Sequence, residues 1–192
     1  VHQPHRQYTL DDYFTLERGV ELKLEYFNGD IFVMPSGTIG HNRINLNVLT
    51  FIHRALSGSY FEVFGVGMRV STPSGLYTYP DGSIICGPLV DGTVETITEV
   101  IALVEILSDI TRNFDRGDKF EYYRSITTLR HYLLIEPSFV NVEHRRMERD
   151  GSWSPEIFES LDQIVHLSEA GVDLPLARIY EGLEITAARP QR

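Results

Sequence analysis

The chain has 192 residues, 42% of them hydrophobic, enough for one buried core and a better match to one domain (1–192) than to two. Its 17 basic and 27 acidic residues give a formal charge of −10, which argues against a general polyanion-binding surface. A single cysteine excludes an intrachain disulfide and a Cys-rich zinc site, and with no long apolar run or signal-peptide pattern the expectation is a cytoplasmic protein without a membrane partner.

Thr9 followed by Asp12 predicts a capped short helix over 10–16, stopped by Gly19. Asn28-Gly29 lies between apolar runs at 22–27 and 30–34, which predicts a two-residue hairpin with Glu25 on its first arm. Ile44, Val48, Phe51, Ile52 and Leu56 recur at helical spacing, so a long amphipathic helix is expected over 38–56, with His41 in its first turn. Residues 60–72 read as one strand in which Gly65 and Gly67 mark a bulge or a close backbone approach.

After a turn at 73–75 come a strand carrying Asp81, a loop over 87–93, and a near-continuous apolar run at 100–107 of the kind buried on both faces of a sheet. Ser108, Asp109 or Thr111 can cap the next helix, expected to continue through Phe114, Tyr122, Tyr123 and Ile126. Residues 130–136 form another apolar strand, 139–148 alternate as its hairpin partner, and Asp150-Gly151 marks a hairpin tip before Trp153. Beyond Leu161 the pattern weakens until 174–180, where a short closing helix is expected.

Glu105 interrupts the 100–107 run, and an ionised carboxylate there is costly unless a cation or several hydrogen bonds meet it. Asp81 and Glu105 fall on strands expected to be neighbours, which can bring both side chains to one sheet face. Two carboxylates so placed repel unless something positive lies between them. A hard divalent ion, Mg²⁺ with Mn²⁺ as its substitute, does this with oxygen ligands and suits phosphodiester substrates. Asp115, Lys119 and Tyr123 are spaced by four and share one face of the helix after the Glu105 strand. If that face looks toward Glu105, the ammonium can position the attacking water and stabilise charge on phosphorus.

Each feature also has a plain structural reading. Pro80-Asp81 is a common turn, a strand-end glutamate is often solvated, and Asp115 to Lys119 can be an ordinary helix pair. An exposed or half-exposed lysine contributes little to packing, so Lys119→Ala is expected to leave stability nearly unchanged. Cys86 is most simply a small core residue. Residues 112–149 hold eight bases against six acids, a local +2 that leaves −12 on the remainder, so a local anion-binding surface is not excluded.

The order of Pro80-Asp81, then Glu105 ending an apolar strand, then Lys119 on the next helix resembles the PD-(D/E)XK restriction-endonuclease-like superfamily. Within it the chain is similar to a large bacterial restriction-endonuclease family of unknown function. The likeness runs from Tyr8-Thr9-Leu10-Asp11-Asp12-Tyr13 through Glu25, Asn28-Gly29, His41 and Val104-Glu105-Ile106-Leu107-Ser108 to His131-Tyr132-Leu133-Leu134-Ile135-Glu136-Pro137. It departs at Leu107, where the superfamily carries its lysine, and the resemblance implies that this lysine has moved to the helix as Lys119.

The fold so implied is α/β: a mixed central β-sheet flanked by helices, the restriction-endonuclease-like αβββαβ core, with an extra N-terminal hairpin and C-terminal strands. The function so implied is Mg²⁺-dependent endonuclease hydrolysis of DNA. Asp81 and Glu105 would hold the metal, helped by the main-chain carbonyl of Ile106, while Lys119 would attend the water and Glu25 supply an additional acid. His41, Asp115 and Tyr123 are accessory candidates, and a homodimer would supply the two sites that double-strand cutting needs. The competing readings are an inactive nuclease-fold module that binds nucleic acid or a protein partner, and a structural dimer whose acids form a buried polar network.

Overall fold

The computed structural model describes residues 7–34, 36–87 and 93–185. A capping box opens α1 (Leu10–Gly19): the Asp12 N–H donates to Thr9 Oγ1 at 3.1 Å and the Thr9 N–H to the Asp12 carboxylate at 2.9 Å. β1 (Leu24–Phe27) and β2 (Asp30–Val33) turn over Asn28-Gly29, whose φ values of 49° and 90° are the left-handed pair such a hairpin requires. α2 (Ile39–Ala55), capped by Thr38, buries Ile44, Val48 and Ile52, each stabilising the fold by about 1.5–3 kcal/mol.

The single strand expected over 60–72 is two, β3 (Phe61–Gly65) and β4 (Arg69–Ser71), which belong to different sheets. The chain turns between them where the Met68 N–H donates to the Gly65 carbonyl at 3.0 Å. β5 (Tyr77–Thr78), β6 (Gly82–Cys86), β7 (Thr96–Ile97) and β8 (Ala102–Ile106) follow. Most of the loop expected over 87–93 falls outside the described residues, and Cys86 is exposed rather than in the core.

The helix expected to continue through 126 is broken into α3 (Arg112–Arg116) and α4 (Asp118–Tyr123). Gly117 makes the break: its φ of −105° and ψ of −104° are not helical, and a Cβ there would lie 3.0 Å from the Asn113 carbonyl oxygen. β9 (His131–Ile135), β10 (Val142–Met147) and β11 (Trp153–Phe158) form the expected antiparallel run. An unforeseen hairpin, β12 (Ile164–Leu167) and β13 (Val172–Pro175), precedes α5 (Leu176–Ile179). Its signal was alternation: Val165, Leu167, Val172 and Leu174 are buried between exposed residues.

The architecture is a mixed α/β fold. The six-stranded sheet runs β11-β10-β9-β8-β6-β3, with β8 and β9 parallel and the other pairs antiparallel. A five-stranded sheet, β2-β1-β5-β4-β7, stands beside it. Alternate residues along β8 serve two cores: Val104 and Ile106 pack with α2, while Leu103, and Leu107 just past the strand's end, pack with Phe120 and Tyr123 of α4. Glu105 therefore belongs to the α4 side. Among the described residues no helix is long and apolar enough to cross a membrane.

Gly65 and Gly82 are partners in the β3 to β6 register, and both lie under Leu49 of α2. A Cβ on Gly82 would come 2.8 Å from Leu49 Cδ2, a distance at which something must shift. The two glycines thus let α2 settle close to the sheet and carry its first turns over Asp81. Because Leu49 Cδ2 is the free end of a partly buried leucine that can swing aside, Gly82→Ala is expected to cost at most about 1 kcal/mol through overpacking, read as a slightly lower urea midpoint at unchanged slope. An unchanged midpoint would mean that Leu49 yields freely.

Candidate active site

The register Gly82 to Val104, continued by one residue, sets Asp81 opposite Glu105 at the end of the β6 and β8 ladder. Both are buried, 7% and 5% exposed. The Ile106 N–H donates to Asp81 Oδ2 at 2.7 Å and His41 Nε2 lies 3.2 Å from the same oxygen. Asn45, one turn beyond His41, donates to the Asp81 carbonyl at 2.9 Å. Nothing in the sequence marks Asn45 except its place four residues after His41 on one helix face.

Lys119 crosses from α4 to Glu105, with Nζ 2.8 Å from Oε1, 3.5 Å from Asp115 Oδ1 and 3.7 Å from Glu25 Oε1. The Tyr123 hydroxyl donates to Glu105 Oε1 at 2.7 Å. Leu107 is fully buried in the apolar cluster beside α4, so that position packs and the cation arrives from the helix. The lysine is 5% exposed, not exposed or half-exposed as expected. Three carboxylates converge on it, and removing it leaves them uncompensated. The four-residue spacing survives the break at Gly117, since Asp115 and Lys119 still pair across it.

Glu25 reaches the cluster through the second sheet. Tyr26 pairs with Tyr77, so β5 lies beside β1, and the Thr78 hydroxyl and Tyr79 N–H both donate to Glu25 Oε1. Glu25→Gln keeps an acceptor for Thr78 but removes a charge from Lys119. It is expected to lower turnover about tenfold, as for a residue that orients another, with an unchanged melting temperature. Wild-type turnover would return Glu25 to a structural role.

Glu25, His41, Asp81, Glu105, Asp115 and Lys119 all line one cavity of about 200 Å³, while Tyr123 supports it through Glu105. Burial pushes the Glu105 carboxyl up to about 8, with Asp115 and Asp81 adding to the rise and Lys119 opposing it. Burial also raises Asp115. For Lys119 burial alone would lower the ammonium, but Glu105, Glu25 and Asp115 together hold it well above the ordinary lysine value. His41 is likewise raised, because Asp81 and the Ile106 main chain outweigh burial.

The other cations near α3 and α4 are turned elsewhere. Arg112 pairs with Glu136, Arg116 with Glu143 and Arg124 with Glu121. Among the described residues no group of three or more His, Cys, Asp and Glu side chains has an arrangement that would hold a metal ion. Two carboxylates nevertheless suit Mg²⁺, which keeps several waters and takes one or two carboxylates. Four carboxylates around one lysine and one histidine also leave the cavity with negative charge to be met.

Residues 10–177 match the Uma2 family model, described as "Putative restriction endonuclease". The chain belongs to the Uma2 family. Two uncharacterized Synechocystis proteins are related to this Uma2 chain, each 29% identical. The protein slr1290 aligns over 94% of the chain and 95% of its own length, and sll1609 over 76% and 84%. The fold is shared with a crystal structure from Anabaena variabilis, described as a putative nuclease belonging to DUF820. Its TM-score is 0.75 at 18% identity, covering 90% of the Uma2 chain and 97% of the other.

Proposed function

We propose that this Uma2 protein is a divalent-metal-dependent endonuclease that hydrolyses phosphodiester bonds in DNA. The observation that carries the reading is Lys119 Nζ at 2.8 Å from Glu105, on the sheet face where the register sets Asp81 opposite Glu105. Asp81 and Glu105 would hold Mg²⁺, or Mn²⁺ in its place. Bound there, the ion supplies Lewis-acid polarisation of a phosphoryl oxygen and acidifies water.

The chain's own residues do the rest. His41 and the Ile106 N–H fix one oxygen of Asp81, and Asn45 fixes its main chain. Tyr123 and Asp115 aim the lysine and the glutamate at each other. Lys119 stays protonated, so it would donate to the phosphoryl oxygens on which negative charge develops and would not act as the base. Glu25 holds the ammonium from the second sheet.

The test is nicking of supercoiled plasmid in Mg²⁺ or Mn²⁺. Wild type is expected to cut, Asp81→Ala to lose at least about 10²-fold, and chelation to abolish the reaction. An Asp81→Ala protein as active as wild type would remove Asp81 from the site. A wild type that binds but cuts no nucleic acid would favour a binding module on the same fold.

A further inference from the structure

The cavity lining is of two chemical kinds. Besides the ionic cluster it includes the apolar Met34, Val66 and Phe114. Phe114 is only partly buried, and its ring ends an aromatic row: Phe27 stacks on Tyr122 at 3.9 Å between centroids, and Tyr122 lies 6.4 Å from Phe114. All three rings are partly buried, and Tyr122 is the aromatic neighbour that connects Phe114 to Phe27.

The charges point the same way. The cationic side chains lining the cavity are Lys119 and His41, and both already face carboxylates. Lys23, next to Val66, donates its ammonium to the Val66 carbonyl. In the stretch 112–149, Arg112, Arg116, Arg124, Arg145 and Arg146 are each paired with a glutamate. A duplex gripped along its backbone needs a series of free cations, and the cavity lining does not present them. What it presents is a partly exposed aromatic side chain and two flexible or branched apolar ones in the same lining, the chemistry on which an unpaired base stacks.

We propose that Phe114, with Met34 and Val66, forms a nucleobase-binding wall, and that the substrate is an unpaired nucleotide in a single strand, a loop or an opened duplex. The inference rests on the nuclease reading for the identity of the substrate. It goes beyond that reading by naming a residue that binds the base and a strand state that is preferred.

The experiment measures fluorescence of an oligonucleotide carrying one 2-aminopurine, single-stranded and in duplex, titrated with protein in Ca²⁺. Wild type is expected to bind the single strand at least tenfold more tightly than the duplex and to quench the probe by stacking. Phe114→Ala and Phe114→Leu should weaken single-strand binding about tenfold to a hundredfold and lose the quench, while Phe114→Tyr retains both. Phe114→Leu keeps an apolar side chain, so a melting curve like that of wild type separates loss of the ring from loss of the fold. The salt dependence should be shallow, with a log–log slope of about −1 to −2, because few phosphates are held by cations.

Equal binding of duplex and single strand, a steep salt slope, or an undiminished quench in Phe114→Leu would each overturn the proposal, as would no binding at all. Plasmid nicking keeps the two ideas apart. Cutting with an unchanged Phe114→Leu quench sinks the base wall and spares the nuclease; a quench that depends on Phe114 without any cutting does the reverse.

Discussion

Lys119→Ala is expected to abolish metal-dependent cleavage and, unlike an ordinary surface lysine, to destabilise the fold measurably. The residue is 5% exposed and its ammonium meets Glu105, Asp115 and Glu25. Removing one partner of a buried ion cluster costs about 3–5 kcal/mol. The cost here should fall near the lower end, about 3 kcal/mol, because Glu105 already favours its protonated form and can discharge itself by taking a proton. Activity should fall about 10²- to 10⁴-fold, the range for a positioned group acting on the transition state.

Lys119→Arg separates the two effects. It keeps the charge and so most of the stability, but a guanidinium fork in a slot shaped for a compact ammonium misplaces the charge. Urea denaturation and plasmid nicking on the same samples check both. A fully stable Lys119→Ala protein would contradict the buried cluster, and a fully active one would remove Lys119 from the chemistry.

The second large effect is on metal affinity and pH. Glu105 is pushed up to about 8, chiefly by burial, and a metal binds its ionised form. Below about pH 8 the ion must displace a proton, so apparent affinity should rise about tenfold per pH unit up to that value and then level off. The sign for stability is opposite. Between the ordinary carboxylate value and about 8 the folded metal-free state holds a proton that the unfolded chain has released. Stability without metal should therefore fall as pH rises, by up to about 1.4 kcal/mol per unit. Calorimetric titration of Mn²⁺ at pH 6.5 and 8.5, in buffers of different ionisation enthalpy, should show release of close to one proton at the lower pH. Affinity independent of pH would mean that Glu105 is not a ligand.

Local signals carried much of the fold. Thr9 and Asp12 announced a capping box, Asn28-Gly29 a hairpin, and the spacing of Ile44, Val48 and Ile52 a helix, because each motif satisfies or buries its own groups without help from distant residues. The two sheets were less legible. β4, β5 and β7 have only two or three residues each, too few for a period to show, and they depend on partners far along the chain. Gly117 was the missed breaker of the helix, and the alternation at Val165, Leu167, Val172 and Leu174 was a missed hairpin.

At the site, Asp81, Glu105 and Lys119 stood out because charge sat where apolar residues belong or at a telling spacing. Asn45, Thr78 and Tyr79 did not, since an amide, a hydroxyl and a main-chain N–H become partners only once the strands are placed. Burial of Lys119 was illegible for the same reason: its three carboxylates come from β1, β8 and α3.

The most direct measurement of the central claim is the anomalous difference map of crystals grown with Mn²⁺, collected for wild type and Glu105→Gln. The account predicts one strong peak in contact with the carboxylates of both Asp81 and Glu105 in wild type, lost or much weakened in the variant. A wild-type map with no peak between those carboxylates, or with its peak elsewhere and unchanged in Glu105→Gln, would contradict it.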